Sequence, residues 1–305
     1  MRKFFKKLRL IYTHTSGNGV FKTELDSVIS ILSKKYDISI FRANNLTEIE
    51  VFMKNLKKGD YDVIVAAGGD GTLNTVSSYI IKNELDCVFG MIPAGTSNDF
   101  AKKIGISRSF SYACENLLEE NIKEIDVGLV SSEKNNSYFI NVFGVGALTN
   151  VSNYVNQQFK SALGNVAYYS KGIETLFKPM PSYIKITTKD KTYEDEFLFL
   201  LIMNSGSAGG FNIVKNASIT DGKFDFIGVL NKGPSTIPAL LVRLVMENHL
   251  EDDRVIYFKS DYAKIETKRK VETNLDGEKG PSLPAEISLL HKKLKVIFPK
   301  ERRNK

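Results

Sequence analysis

The order of apolar and polar positions divides the 305-residue chain into two textures. Over the first 128 residues, short apolar runs alternate with amphipathic stretches, as in βα units that feed a parallel sheet. Leu8–Tyr12, Ile38–Phe41, Asp62–Ala67 and Cys87–Ile92 read as strands. Phe21, Leu25, Val28, Ile29 and Leu32 recur at three- and four-residue spacing and predict a helix over Phe21–Lys35. Leu46–Leu56 and Thr72–Ile81 follow the same rule, and Ser109–Glu120 adds a further helix. Beyond residue 128 the runs are strand-like, closely spaced and joined by polar turns: Ser182–Thr188, Glu194–Met203, Phe224–Leu230, Val255–Lys259, Ala263–Glu266, Val271–Leu275 and Leu294–Phe298. "SYFINVFGVG" is another strand candidate, and helices are expected there only over Gln157–Phe177 and Pro234–His249. This second texture predicts an antiparallel sandwich or barrel.

Composition excludes more than it selects. With 42% apolar and 25% charged residues, the chain is an ordinary globular one. Cys87 and Cys114 are its only cysteines, which excludes a disulfide framework or zinc ribbon and suits a reducing cytosol. No apolar run approaches the roughly 18 residues of a membrane-spanning helix, and the run near the start is too short for a signal peptide. A net charge of +7 favours anionic partners: a nucleotide, nucleic acid or an acidic membrane surface. Arg2, Lys3, Lys6, Lys7 and Arg9 flank Phe4 and Phe5. That run reads either as a solvated lead-in to the first strand or as a contact with anionic lipid. The other basic residues look scattered and no nucleic-acid motif is present, so nucleic acid is not the expected partner.

Three of the first four strands end in small, glycine-bearing loops: "THTSGNG", "GGDGT" and "PAGTSND". Open parallel sheets bind ligands beyond the carboxyl ends of their strands, where strand order reverses. Glycines let backbone N–H groups converge on an anion, and a following helix N-terminus adds partial positive charge. The alternative is tight strand-to-helix turning with no ligand. Asp70 and Asp99 stand inside two of these loops and would repel a triphosphate. A Mg²⁺ ion, which accepts carboxylate, water and phosphate oxygens, resolves the conflict. Asp126, in "EIDVG", can join that network. Asp99 could equally cap a helix starting at Phe100. P-loop and protein-kinase signatures are absent. "NLDGEKG" sets Glu278 at a loop tip after a strand, where a carboxylate can accept a hydroxyl proton. It could also stand solvated beside an ordinary Asp276-Gly277 hairpin turn.

"GGDGTLN" at 68–74, "PAGTSNDFA" at 93–101, "IDVG" at 125–128, "NASITDGKFD" at 216–225 and "NLDGE" at 274–278 follow one another in a family order. In that order they resemble the diacylglycerol kinase catalytic-domain family, nearest the soluble bacterial lipid kinases of the diacylglycerol kinase B type. The resemblance spans essentially the whole chain. It implies two domains: residues 1–128, an α/β parallel-sheet ATP-binding domain like those of NAD kinase and phosphofructokinase, and residues 129–305, a mainly antiparallel β-sandwich that takes the lipid. The last strand could return to the first domain. ATP would lie in the cleft, contacted by Gly68, Gly69, Asp70, Gly71, Thr72, Leu73, Asn74 and Thr96. Thr13, His14, Thr15, Ser16 and Gly17 would cover it. Asp70, Asp99 and Asp126 would organise the catalytic Mg²⁺, with Glu278 as general base. Ser218, Asp221 and Lys223 would hold a second, structural Mg²⁺ through two main-chain carbonyls and the Asp221 carboxylate.

Two positions depart from the family pattern: Thr13-His14 replaces an Asn-Pro, and Thr75 replaces a Glu after GGDGTLN. Both bear on nucleotide affinity. The implied activity is transfer of the γ-phosphoryl group of ATP to diacylglycerol, giving phosphatidic acid. Alternatives are another lipid acceptor, such as a sphingoid base or other glycerolipid, and a nucleotide-binding regulator without turnover. The implied location is cytoplasmic with peripheral membrane contact, and a homodimer is allowed.

Overall fold

The computed structural model describes residues 5–146, 181–208, 211–233, 235–246 and 248–300. The chain forms two compact units, the first comprising Met1–Asp126 and His291–Lys305, the second Val127–Leu290. The boundary expected after residue 128 thus falls after Asp126, and residues 291–305 belong to the first unit. Long-range pairing is the reason: Val296 pairs in parallel with Phe89, and Asp126 accepts the Lys292 N–H at 2.8 Å.

Unit 1 follows the order β1 (Lys6–Thr13), α1 (Val20–Thr23), α2 (Leu25–Leu32), β2 (Tyr36–Ala43), α3 (Leu46–Lys54), β3 (Val63–Gly68), α4 (Asp70–Lys82), β4 (Val88–Pro93), α5 (Asp99–Lys103), α6 (Phe110–Glu119) and the start of β5 (Asn121–Ser132). The helix expected over Phe21–Lys35 is divided at Glu24, whose N–H closes a tight turn onto the Phe21 carbonyl. The sheet runs β2-β1-β3-β4 with every pair parallel. Its strand order reverses between β1 and β3. All six residues of β3 are buried, as expected for a central parallel strand covered on both faces. In α4 the buried Leu73, Val76 and Ile80 recur at helical spacing and turn one face inward. Cys87 and Cys114 are free and buried, and burial pushes each thiol up to about 12. Thiols so far from ionisation are inert packing groups.

Two members of the N-terminal basic run are used internally. Lys6 pairs with Glu120 at 2.8 Å. Arg9 lies over the rings of Phe52 and Tyr61 at 5.0 and 4.6 Å. Both contacts fit a lead-in to β1. Arg2, Lys3 and Phe4 lie outside the described residues.

Unit 2 contains β6 (Asn136–Phe139), β7 (Val142–Gly146), β8 (Ser182–Thr187), β9 (Thr192–Met203), β10 (Ser207–Ala208), β11 (Phe211–Asn212), β12 (Phe224–Leu230), α7 (Thr236–Val245), β13 (Val255–Ser260), β14 (Tyr262–Thr267), β15 (Thr273–Leu275), β16 (Glu278–Lys279) and most of the first half of β17 (Ala285–Phe298). Pairing is antiparallel in the order β16-β15-β7-β9-β8-β14-β17, with β12 and β13 continuing from the other edge of β9. Side-chain alternation builds the core. Leu200 and Ile202 of β9 join Phe139, Phe143, Phe224 and Phe226 on one face, while Leu201 and Met203 join Val214 and Ile227 on the other. A strand buried on both faces explains the unbroken apolar run at that point. Gly128 pairs with Phe139, and a Cβ there would overlap the Phe139 ring. The helix expected over Gln157–Phe177 lies outside the described residues.

Candidate active site

The three glycine-bearing loops meet at the carboxyl edge of the unit 1 sheet. In the first, the Ser16 hydroxyl donates to the Ala67 carbonyl at 2.8 Å. Having spent its one hydrogen, it accepts from the Thr13 N–H at 3.2 Å and the Thr13 hydroxyl at 3.1 Å. The bond to Ala67 ties the end of β1 to the end of β3 across the strand-order reversal. The loops after β3 and β4 touch backbone to backbone. The Ala94 N–H donates to the Gly68 carbonyl at 2.9 Å, and a Cβ on Gly95 would come within 2.4 Å of the Gly69 Cα. No side chain fits there, so these glycines are required by loop packing itself, before any ligand arrives. Asn98, in the left-handed region at φ 51, closes the third loop. Its side chain accepts from the Gly95 N–H at 2.9 Å and donates to the Gly95 carbonyl at 2.7 Å.

Asp70 and Asp99 are the first helical residues of α4 and α5. Asn98, not Asp99, is the N-cap of α5, which leaves the buried Asp99 carboxylate outside the capping role. Asp126 is fully buried in β5 and accepts from the Lys292 N–H, with His291 Nδ1 2.8 Å from the same oxygen. Among the described residues no three His, Cys, Asp or Glu side chains cluster closely enough to hold a metal by themselves. Mg²⁺ does not require such a cluster, because it commonly takes one or two carboxylates and fills its octahedron with water and phosphate oxygens. The entry to α4, where Gly69 is the N-cap and no side chain caps the first N–H groups, suits a phosphate group.

In unit 2, Glu278 opens β16, directly after a two-residue hairpin loop. Leu275 pairs with Glu278, and Asp276 and Gly277 both have positive φ, 50 and 99, the pairing-compatible turn that Asp-Gly favours. Asp276 is buried. Its carboxylate accepts the N–H groups of Ile140, Asn141 and Val142 at 2.8, 3.0 and 2.6 Å. This is why "SYFINVFGVG" forms two strands and not one: three backbone donors turn aside to a carboxylate. Glu278 itself is exposed, so the acid beside it carries the structure and Glu278 remains available for chemistry.

Comparison with known proteins decides what this arrangement belongs to. The diacylglycerol kinase catalytic domain matches residues 7–130, and the YegS C-terminal NAD kinase beta sandwich-like domain matches residues 141–298. A diacylglycerol kinase of Bacillus subtilis (strain 168) is 32% identical over 97% of this chain and 98% of its own. The chain belongs to the diacylglycerol kinase family. It is a kinase. Another relative, a diacylglycerol kinase of Staphylococcus haemolyticus (strain JCSC1435), is 32% identical over 97% of this chain and 89% of its own. A crystal structure of a candidate diacylglycerol kinase from Bacillus anthracis str. Sterne superposes with a TM-score of 0.79 at 26% identity, covering 98% of this chain and 97% of that one. The two-domain architecture, a parallel-sheet domain and a β-sandwich domain, is therefore that of the family.

Against that family background the departures have internal explanations. Thr13 is buried in the hydroxyl chain with Ser16, while the exposed His14 donates its N–H to the Ala43 carbonyl at 3.1 Å. Thr75 is buried in α4 and bonds back to the Gly71 carbonyl at 2.9 Å. Thr96 is exposed, and its carbonyl accepts from the Arg108 guanidinium. That anchor, like the Asn98 cap, went unnoticed in the sequence. "TSND" carried a signal for the cap, because Asn tolerates the left-handed region. Nothing in the sequence pointed to Arg108.

Ser218, Asp221 and Lys223 share one turn of unit 2 ahead of β12. The Asp221 carboxylate accepts the Lys223 N–H at 3.2 Å and stands 3.2 Å from the Lys259 ammonium. Lys259 also lies 3.4 Å from the fully buried Asp225, which accepts the Tyr257 hydroxyl at 2.6 Å. Desolvation pulls the Lys259 pKa down, but Asp225 and Asp221 outweigh it and hold the ammonium charged above its usual value. The Asp221 carboxylate of this turn is thus shared with the Lys259 ammonium.

Proposed function

We propose that this kinase transfers the γ-phosphoryl group of Mg·ATP to the hydroxyl of diacylglycerol, giving phosphatidic acid and ADP. The acceptor oxygen forms a bond to the γ-phosphorus as the bridge to the β-phosphate breaks, and Glu278 takes the hydroxyl proton. The amides at the entry to α4, from Gly69 onward, hold the phosphates in place, with the loop Thr13–Gly17 alongside. Asp70, Asp99 and Asp126 would hold the Mg²⁺ ion, directly or through water, and the ion would neutralise charge on the phosphates.

Convergence of the three loops where the sheet's strand order reverses is the observation that carries this reading, together with membership of the family. No helix among the described residues is long and apolar enough to cross a membrane. We infer cytoplasmic action at a membrane surface, because the acceptor resides in a bilayer. The test offers the purified protein γ-labelled ATP with diacylglycerol, a sphingoid base or NAD in parallel. Label in phosphatidic acid is expected. Label in another acceptor alone overturns the substrate, and ATP binding without transfer to any acceptor overturns the enzyme.

A further inference from the structure

Lys268, Arg269 and Lys270 follow one another in the loop after β14, all exposed. The basic residues are therefore not scattered outside the N-terminus; this is a second run. Four lysines elsewhere are held by carboxylates: Lys189 by Asp261 at 2.5 Å, Lys264 by Glu266 at 3.0 Å, Lys295 by Asp86 at 3.1 Å and Lys300 by Glu119 at 2.7 Å. Among the described residues, no carboxylate pairs with Lys268, Arg269 or Lys270. Glu272 follows, leaving two net positive charges over five residues (three basic, one acidic).

The run is not a loose tail. The Thr267 hydroxyl donates to the Arg269 carbonyl at 2.8 Å, and the Glu272 carbonyl accepts the Gly146 N–H at 3.2 Å, anchoring the loop to the end of β7. The Lys268 ammonium lies 3.8 Å from the ring centre of Tyr183, itself 38% exposed at the start of β8. Three adjacent like charges lie within one Debye length, about 8–10 Å, and repel one another until an anionic surface faces them. The Tyr183 hydroxyl is bonded to Glu194, with Asp195 close by, so the ring adds apolar area beside the run while Lys268, Arg269 and Lys270 alone supply its positive charge.

We propose that the Lys268–Lys270 loop docks the second unit on anionic phospholipid headgroups. This rests on the diacylglycerol kinase reading, since an acceptor held in a bilayer is what brings a lipid surface to this unit. Each basic residue near such a surface adds about fivefold in affinity, so three amount to about a hundredfold.

The test compares the wild-type protein with Lys268→Glu/Arg269→Glu/Lys270→Glu in sedimentation with phosphatidylcholine vesicles, with and without phosphatidylglycerol, at low and high salt. Lys189→Glu, which removes a paired lysine, serves as the control. The wild type should bind the anionic vesicles more than about a hundredfold more tightly than the triple Glu variant, which reverses the three charges, and release them at high salt, while Lys189→Glu binds as the wild type does. A triple Gln variant, with circular dichroism matching the wild type, guards against misfolding and should lose binding too. Equal vesicle binding by wild type and triple variant overturns the docking. So does a triple substitution that abolishes binding to a single-stranded oligonucleotide and leaves vesicle binding unchanged. Phosphate transfer by the wild type is measured alongside. Charge-dependent docking with no transfer to diacylglycerol supports the surface and removes the kinase reading, whereas transfer with indifferent docking removes the surface alone.

Discussion

Two Asp-Gly turns in this molecule use the same residue types for opposite ends. In unit 1, Asp70-Gly71 follows two glycines at the end of β3 and begins a helix. The glycines are fixed by backbone contact, and the aspartate stands at the helix entry. In unit 2, Asp276-Gly277 reverses a hairpin, and its aspartate is buried under three backbone N–H groups. There the chemistry passes to the next acid, Glu278. The three main-chain donors on Asp276 make that carboxylate structural, whatever motif contains it.

The largest effect should come from the acid that unit 2 leaves exposed. Glu278→Ala is expected to lower kcat by about 10²–10⁴-fold with an unchanged melting temperature; wild-type turnover would remove it from the mechanism. Its neighbour should behave in the opposite way. Asp276→Ala leaves several buried N–H groups without an acceptor and should destabilise the protein by about 3 kcal/mol, read as a lower urea midpoint. An unshifted midpoint would erase the distinction drawn between the two turns.

Glycine substitutions sharpen the contrast further. Gly95→Ala drives a Cβ into the Gly69 backbone and should cost about 1–3 kcal/mol by overpacking, together with weaker ATP binding by calorimetry. At Gly277 a Cβ meets nothing within 4 Å. Gly277→Ala should therefore cost only the left-handed backbone penalty, about 1 kcal/mol, with ATP binding unaltered.

The smallest effect separates the units by pH. Burial lowers the His249 pKa, partly offset by its bond to the Ile213 carbonyl. A depressed histidine means that the unfolded chain binds the proton more readily. Its contribution is therefore whole above about pH 6.5 and declines as the pH falls below that value. In unit 1, desolvation raises the Glu120 pKa, but bonds from Lys6, Tyr36 and Lys35 outweigh it and hold the carboxyl low. That contribution is complete above about pH 4.3 and is lost only on further acidification. Amide exchange followed against pH should show unit 2 loosening first, and His249→Gln should remove the difference.

Much of this was legible in the chain. Helical spacing and strand alternation are local properties, so β1, β3, β4, α3, α6 and β12 fall close to where periodicity predicts them. Glycine-rich strand ends likewise marked the loops that meet in unit 1, because a turn without side chains is a local requirement. Family motifs carried the identity of Asp70, Asp99, Asp126 and Glu278. Tertiary structure alone decided the rest. Asp276 binds N–H groups 134 to 136 positions away, and residues 291–305 rejoin the first unit through contacts as distant as Val296 with Phe89 and Lys292 with Asp126. Whether a lysine meets a carboxylate, as Lys259 does, or only an aromatic ring, as Lys268 does, depends on which side chains the fold brings near. Periodicity reports the surroundings of a residue along the chain, and a charge or donor is satisfied by neighbours in space.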